Sequence, residues 1–271
     1  MSPRSDRRPA RAERQRRIVD HVLEQGFAAV SELVEMSDVS VMTVHRDLDD
    51  LAGRGLLRRV RGGVSALPTS VFESSSDFRM QRQAAAKESL ARAALQFVES
   101  GMSVMLDDST TVLALARLLE PVGPLTVISN YRQALEALRD ASDVGFLMLG
   151  GAYSRTHDSF IGPSSESGLD SYSVDVVFQS TSTIDTERAY HQEQDVVQVK
   201  RAMLRAGNRR VLMIDGTKVG RTSLHHFAHL ADFTDVILTP DVEPTVRDAI
   251  AEHTTVHVAD GSHEPGRLHG A

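Results

Sequence analysis

The chain of 271 residues is 41% hydrophobic, 25% charged and 5% aromatic, which excludes disordered and fibrous classes and allows a large core beside a small one. With no cysteine, a disulfide framework, thiolate metal sites and thiol nucleophiles are excluded, and a reducing compartment suits the chain. The basic N-terminus has no apolar stretch and no later segment approaches roughly 18 apolar residues, so a soluble, cytoplasmic protein without a signal or membrane span is expected.

The net charge of −7 is unevenly distributed. Residues 1–65 carry 12 Arg and no Lys against 10 acids, whereas the other 206 residues carry 18 basic and 27 acidic side chains. The arginines cluster between Arg4 and Arg17 and between Arg54 and Arg61. Such clusters fit a nucleic-acid-binding segment or a solvated basic tail, and charge alone does not separate the two.

Periodicity favours the first. Between Arg11 and Gln25, Ile18, Val19, Val22 and Leu23 recur at helical spacing, and Gly26 stops the pattern. Ser31 is placed to cap a second helix carrying Val30, Leu33 and Val34, which breaks at Ser37-Asp38-Val39. Ser40 caps a third, in which Val41, Val44, Leu48 and Leu51 form one stripe and Met42, Thr43, His45 and Arg46 point elsewhere. Two short helices joined by a tight turn, the second presenting polar side chains from its first turns, make a helix-turn-helix. Leu56–Val60 then reads as a strand, Arg61-Gly62-Gly63 as a turn and Val64–Ala66 as the returning strand, the basic hairpin of a winged helix. Arg58, Arg59 and Arg61 are expected at phosphates or a minor groove, and Thr43, His45 and Arg46 at base edges, with Ser40 and Met42 completing the contact set.

The run SELVEMSDVSVMTVHRDLDDLAGRGLLRRVRGG resembles the amino-terminal domain of the DeoR family of bacterial transcriptional regulators, a resemblance covering residues 10–66. It implies a winged helix-turn-helix that binds a double-stranded DNA operator. That family usually carries two consecutive arginines where this chain has His45 before Arg46, so its base preference does not transfer unchanged.

Residues 67–86 are rich in Ser and Ala without a period and read as a linker that hardens into a helix near Lys87. From 87 to 259, helical and strand patterns alternate, a βαβ rhythm that predicts an α/β domain on a mostly parallel sheet. A helix over Glu88–Glu99 leads to a strand Ser103–Leu106, a turn Asp107–Thr111 and a helix Val112–Leu119. The plan repeats with the strand Leu125–Ile128, the turn Ser129-Asn130, the helix Tyr131–Arg139, the strand Val144–Leu149 and Gly150-Gly151. Strands Val174–Phe178, Arg210–Ile214 and Val236–Leu238 follow, with a helix over Gln192–Ala206, and residues 260–271 read as a flexible tail.

In an open parallel sheet ligands sit beyond the carboxyl ends of the strands, where these turns lie. Ser109, Thr110 and Thr111 at a helix start suit a phosphate through free N–H groups, the helix dipole and hydroxyls; simple capping is the alternative. Asn130, Asp185 and Asp215-Gly216-Thr217-Lys218 occupy loops at the same edge, where a sugar phosphate needs hydroxyl-binding side chains and a lysine.

Five motifs in order, LDDSTT, VISN, LGGAY, FIGPS and DGTKVG, resemble the DeoR carboxy-terminal sensor domain, whose fold is shared with ribose-5-phosphate isomerases, glucosamine-6-phosphate deaminases and coenzyme A transferases. The resemblance implies that Ser109, Thr110, Thr111 and Lys218 hold an effector's phosphate and that Asp108, Asn130 and Asp185 hold its hydroxyls. Lys200 matches another family position, and reads equally as a salt-bridging surface residue. Ser109 and Thr183 replace glycines frequent in the family, which narrows both turns and leaves the sugar open. A homo-oligomer is implied too.

His225, His226 and His229 offer i, i+4 ligands if helical, but with no HExxH and no matching carboxylate no metal is expected, nor any cofactor. His191 beside Tyr190 reads as a pocket residue, a general base or simple packing. The function expected is a transcriptional repressor of carbohydrate metabolism genes relieved by a phosphorylated sugar or polyol, not an enzyme. The alternatives are a sugar-phosphate isomerase-type enzyme with an appended DNA-binding domain and a DNA-bound scaffold that only oligomerises; an operator reader has no use in the former.

Overall fold

A computed structural model describes residues 7–53, 56–65, 79–80 and 83–259, in two compact units that divide between Arg79 and Met80. Most of the linker read at 67–86 and the whole tail read at 260–271 lie outside the described residues.

The first unit runs α1 (Arg7–Gln25), β1 (Phe27–Ala29), α2 (Val30–Ser37), α3 (Val41–Gly53), β2 (Arg58–Val60) and β3 (Gly63–Ser65). Its antiparallel sheet has the order β1-β3-β2, so the hairpin gains a third strand from the α1–α2 connection. Gly63 permits this pairing, because a Cβ there would stand 2.2 Å from the Ala28 carbonyl oxygen. Ile18, Val22, Leu33, Val44, Leu48, Leu51 and Val64 form a core in which truncating one large side chain costs about 2–5 kcal/mol. Two expectations need correction. Helix α2 starts at Val30, so Ser31 lies inside its first turn, and the Glu32 carboxylate accepts the Ala29 N–H (3.3 Å) instead. Val41 is 53% exposed, so the apolar stripe of α3 begins at Val44.

The second unit begins with α4 (Ala84–Ala94), earlier than Lys87, and continues through β4 (Ser103–Leu106), α5 (Thr110–Ala116), β5 (Leu125–Ser129), α6 (Arg132–Leu138) and β6 (Val144–Met148). Next come β7 (Ala152–Ser154), β8 (Ser159–Ile161), α7 (Pro163–Leu169), β9 (Val174–Gln179), β10 (Thr183–Ile184), β11 (Arg188–His191) and α8 (Gln194–Ala206). The unit closes with β12 (Gly207–Ile214), β13 (His225–His229), β14 (Asp235–Leu238), α9 (Pro244–Ala251) and β15 (Thr255–Val258). Seven strands form one sheet, parallel throughout, in the order β15-β14-β12-β9-β4-β5-β6. Alternate residues serve opposite faces: Val104 and Leu106 join the core under α4 and α5, while Met105 joins the core under α8. Burial on both faces is why the inner strands β4, β9 and β14 read as nearly continuous apolar runs.

The chain leaves β4 toward β5 and β6, then returns to place β9 on the other side of β4. The crevice at the carboxyl ends of β4 and β9 is therefore the topological switch point, where the loops diverge and a ligand fits. A smaller antiparallel sheet has the order β10-β11-β13 and β7 pairs with β8. His225, His226 and His229 lie on strand β13, so the helical i, i+4 geometry does not exist there. Among the described residues no helix is long and apolar enough to cross a membrane, and no three metal-ligating side chains converge.

Candidate functional site

In the first unit, Ser40 precedes α3; its hydroxyl accepts the Thr43 N–H (3.3 Å) and lies 2.9 Å from the Thr43 hydroxyl. Thr43 is thereby tied into the cap. Met42 is 64% exposed, Arg46 is exposed and His45 is half-buried, so the start of α3 presents one apolar and two nitrogen-bearing side chains. Arg58 and Arg61 are exposed on the wing, with Arg58 Nε 3.4 Å from the Ser65 hydroxyl. Arg59 turns toward α3, its Nη2 2.9 Å from His45 Nδ1 and its Nε 3.4 Å from Asp49 Oδ1.

The other arginine cluster is partly structural. Buried Asp47 on α3 accepts from Arg11 Nε (3.2 Å), Arg14 Nε (2.6 Å) and Gln15 Nε2 (3.0 Å), clamping α1 to α3. Arg17 donates to the Met36 carbonyl (3.0 Å). Sequence counting had no means to separate these arginines from those of the wing.

In the second unit the switch point is built around a buried lysine. Lys200 on α8 is 2% exposed; its Nζ donates to Asp107 Oδ2 and to the Ser180 carbonyl (3.0 Å) and lies 3.6 Å from Asp108 Oδ1. The surface salt-bridge reading of Lys200 is corrected: the pairing exists, but in the interior. Asp107 also accepts the N–H groups of Ser109 (3.0 Å) and Ser180 (2.9 Å), stitching the loop after β4 to the loop after β9. Asp108 accepts the Ser159 hydroxyl (2.7 Å) from β8. Burying these charges demands such pairing, since one left unmatched costs several kcal/mol.

Ser109 caps α5, its hydroxyl accepting the Val112 N–H (3.1 Å). Thr110 and Thr111 fill the first turn, and the Thr111 hydroxyl is buried with no hydrogen-bond partner among the described residues. Asn130, 1% exposed after β5, donates through Nδ2 to the Phe160 carbonyl (2.9 Å), and its Oδ1 likewise has no partner among the described residues. Lys218, in the short turn after β12, lies 3.5 Å from both Asp215 Oδ2 and the Ser180 hydroxyl, which brings it to the same strand ends as Lys200. Gly216 admits Asp241 there, since a Cβ would stand 2.5 Å from its carboxylate.

Asp185 stands apart in the β10–β11 turn. Its carboxylate accepts the N–H groups of Glu187 (2.8 Å) and Arg188 (2.7 Å) and the Tyr190 hydroxyl (2.6 Å). Burial pushes its pKa up, but these donors outweigh burial and hold it below the usual carboxylate range. It serves the turn first. His191 is buried and accepts the Glu193 N–H (3.1 Å), and its ring centroid lies 6.2 Å from that of buried His157. Sequence reasoning missed Asp107, Ser159 and Ser180; the Asp107-Asp108 pair was visible, but which carboxylate faces Lys200 depends on where β4 ends.

The DeoR C terminal sensor domain family matches residues 82–239 and the DeoR-like helix-turn-helix domain family matches residues 14–70. The L-fucose operon activator of Haemophilus influenzae is 31% identical, over 89% of this chain and 97% of its own length. A putative aga operon transcriptional repressor of Escherichia coli O157:H7 is 31% identical over 79% of this chain and 81% of its own. The transcriptional repressor AccR of Agrobacterium fabrum is 31% identical over 89% and 93%. Among solved structures, ribose 5-phosphate isomerase A of Neisseria gonorrhoeae aligns with a TM-score of 0.37 at 13% identity over 54% of this chain and 55% of that one, a likeness too slight to argue from. The sensor match over more than half of the chain, the helix-turn-helix match ahead of it and relatives aligned along nearly their whole length establish that this chain is a DNA-binding transcriptional regulator and belongs to the DeoR family.

Proposed function

We propose that the chain is a cytoplasmic repressor of carbohydrate metabolism genes whose operator affinity falls when a phosphorylated sugar or polyol binds at the switch point. DNA binding is assigned to residues 10–66 and sensing to residues 87–259, in a homo-oligomer. The observation that carries the sensing role is that two buried polar atoms, Thr111 Oγ1 in the first turn of α5 and Asn130 Oδ1 just after β5, have no hydrogen-bond partner among the described residues, in the segments that follow two neighbouring strands. Buried polar groups are nearly always satisfied, so a hydroxyl at a helix start and an amide oxygen at a strand end suit a ligand rich in hydroxyls and anionic oxygens. Lys218 supplies the countercharge, while Lys200 is held by Asp107 and keeps the strand ends together. In this reading Ser109, Thr110 and Thr111 stand nearest the phosphate, Asp108 and Asn130 nearest the hydroxyls, and Asp185 shapes the neighbouring turn.

Repression is favoured by the relatives called a putative aga operon transcriptional repressor and the transcriptional repressor AccR. An isomerase would need a carboxylate poised as a base. Asp107, Asp108 and Asp215 each already engage a lysine or a hydroxyl, which favours a sensor over an enzyme. Calorimetric titration with aldose, ketose and polyol phosphates, paired with a turnover assay on each, tests this reading. Saturable binding without turnover is expected; conversion at ordinary enzymatic rates of about 1 per second or faster would contradict it.

A further inference from the structure

The contact between the wing and the third helix decides what His45 presents to DNA. Arg59 Nη2 lies 2.9 Å from His45 Nδ1, and the same guanidinium places Nε 3.4 Å from Asp49 Oδ1, one helical turn further along α3. A guanidinium has five N–H donors and no acceptor. Its contact with Nδ1 therefore needs the lone pair of that nitrogen, and a neutral imidazole with its lone pair on Nδ1 carries its proton on Nε2.

We infer that Arg59 is a positioning residue that holds His45 in the Nε2–H tautomer, and that His45 thereby selects a guanine in the major groove. A lone donor is complementary to an acceptor edge. Guanine shows N7 and O6 side by side there; adenine sets a donor beside its N7, thymine a methyl beside its O4, and cytosine offers a donor. Asp49 anchors the same guanidinium through Nε, on the edge that Nε shares with Nη2, so the wing acts on specificity through α3 as well as on affinity through phosphates. The inference rests on the DNA-binding role assigned above and adds to it the base that is read and the residue that sets the reading.

The test uses the full-length chain and operators enriched from a random-sequence DNA library. Each guanine of the enriched site is replaced in turn by 7-deazaguanine, which lacks the N7 acceptor, and by adenine. The parent protein is expected to lose about fivefold or more in affinity at one guanine per half-site, the worth of roughly one hydrogen bond. His45→Phe, which keeps a ring without nitrogen, loses that penalty. Arg59→Met shrinks it, and Arg59→Lys, which keeps charge and a donor, restores most of it; circular dichroism melts verify that all three variants fold. An Arg59→Met protein that binds every sequence more weakly yet keeps the full 7-deazaguanine penalty would make Arg59 a phosphate contact alone and overturn the inference. A full penalty in His45→Phe would overturn it as well. A parent protein that enriches no sequence would overturn both the inference and the operator-reading role beneath it, whereas enrichment without a guanine penalty would overturn the inference alone.

Discussion

The two units use their cations in opposite ways. In the second, Lys200 is sealed inside against Asp107, and Arg209 clamps buried Asp235 with two bonds of 2.8 and 2.9 Å. In the first, Arg46, Arg58 and Arg61 stand exposed and form no ion pair among the described residues. Cations matched to buried carboxylates hold structure together, whereas exposed ones are available for a partner's charge. The boundary runs through the first unit itself, because Arg11 and Arg14 are matched to buried Asp47.

The contrast puts the largest effect on Lys200→Met, which strips the only cation paired with Asp107 among the described residues. Unfolding of the second unit should lose about 3–5 kcal/mol, read by scanning calorimetry as a fall of roughly 10 °C. An unchanged melting temperature with lost effector binding would turn Lys200 into a ligand contact instead. In the first unit Asp47→Ala should cost about 3 kcal/mol, because it leaves Arg14 and Gln15 without their shared acceptor. A cost near zero would return Arg11 and Arg14 to the DNA-facing set.

Next in size is an acid effect. Burial pushes the Asp235 carboxyl up, but Arg209, Thr234 and His257 outweigh it and hold the pKa at about 2, against an ordinary value near 3.9. A carboxylate with a depressed folded pKa contributes stability above its unfolded pKa and loses it as pH falls through the folded one. Asp235 should thus contribute about 2 kcal/mol that disappears between roughly pH 4 and pH 2. Denaturant titrations of the parent and Asp235→Asn should differ at pH 6 and converge near pH 2; parallel curves would remove Asp235 from the ledger.

The smallest effect on folding, and a large one on binding, belongs to the wing. Replacing Arg58 and Arg61 by Ala should leave the melting temperature within about 2 °C and weaken operator and random DNA alike. The slope of log affinity against log salt should fall by about 2, one unit for each phosphate contact. An unchanged slope would take the wing off the DNA.

Much of this was legible in the sequence because it follows from period and punctuation. The helices of the first unit show their 3.6-residue stripe, and the strand ends of the second are marked by polar turns such as Asp107-Asp108-Ser109 and Ser129-Asn130. Strand β1 was illegible, since Phe27-Ala28-Ala29 has no alternation and pairs only because Gly63 lets the backbones approach. The β13 histidines satisfied a helical spacing while lying in an antiparallel sheet with β11, because position alone cannot report which strand a segment finds. The same limit hid the partners of Arg11, Arg59 and Lys200, which are 36, 14 and 93 residues away in the chain. Charge is written in the sequence, but its matching is written only in the fold.

The central claim, that an anionic effector bound at the switch point loosens the hold on DNA, is tested most directly with Lys218→Ala combined with Thr111→Val. Thr111→Val replaces a buried hydroxyl that has no hydrogen-bond partner among the described residues with a methyl group and should not weaken folding. A ligand releases DNA only by binding the DNA-free state more tightly, so a damaged pocket should keep the operator and lose its release. Fluorescence anisotropy on labelled operator should show parental affinity in the double variant and no dissociation on adding the sugar phosphate that releases the parent protein. Dissociation of the double variant at the same concentration as the parent would contradict the placement of the site, and tighter operator binding by the parent on adding sugar phosphate would contradict the sign.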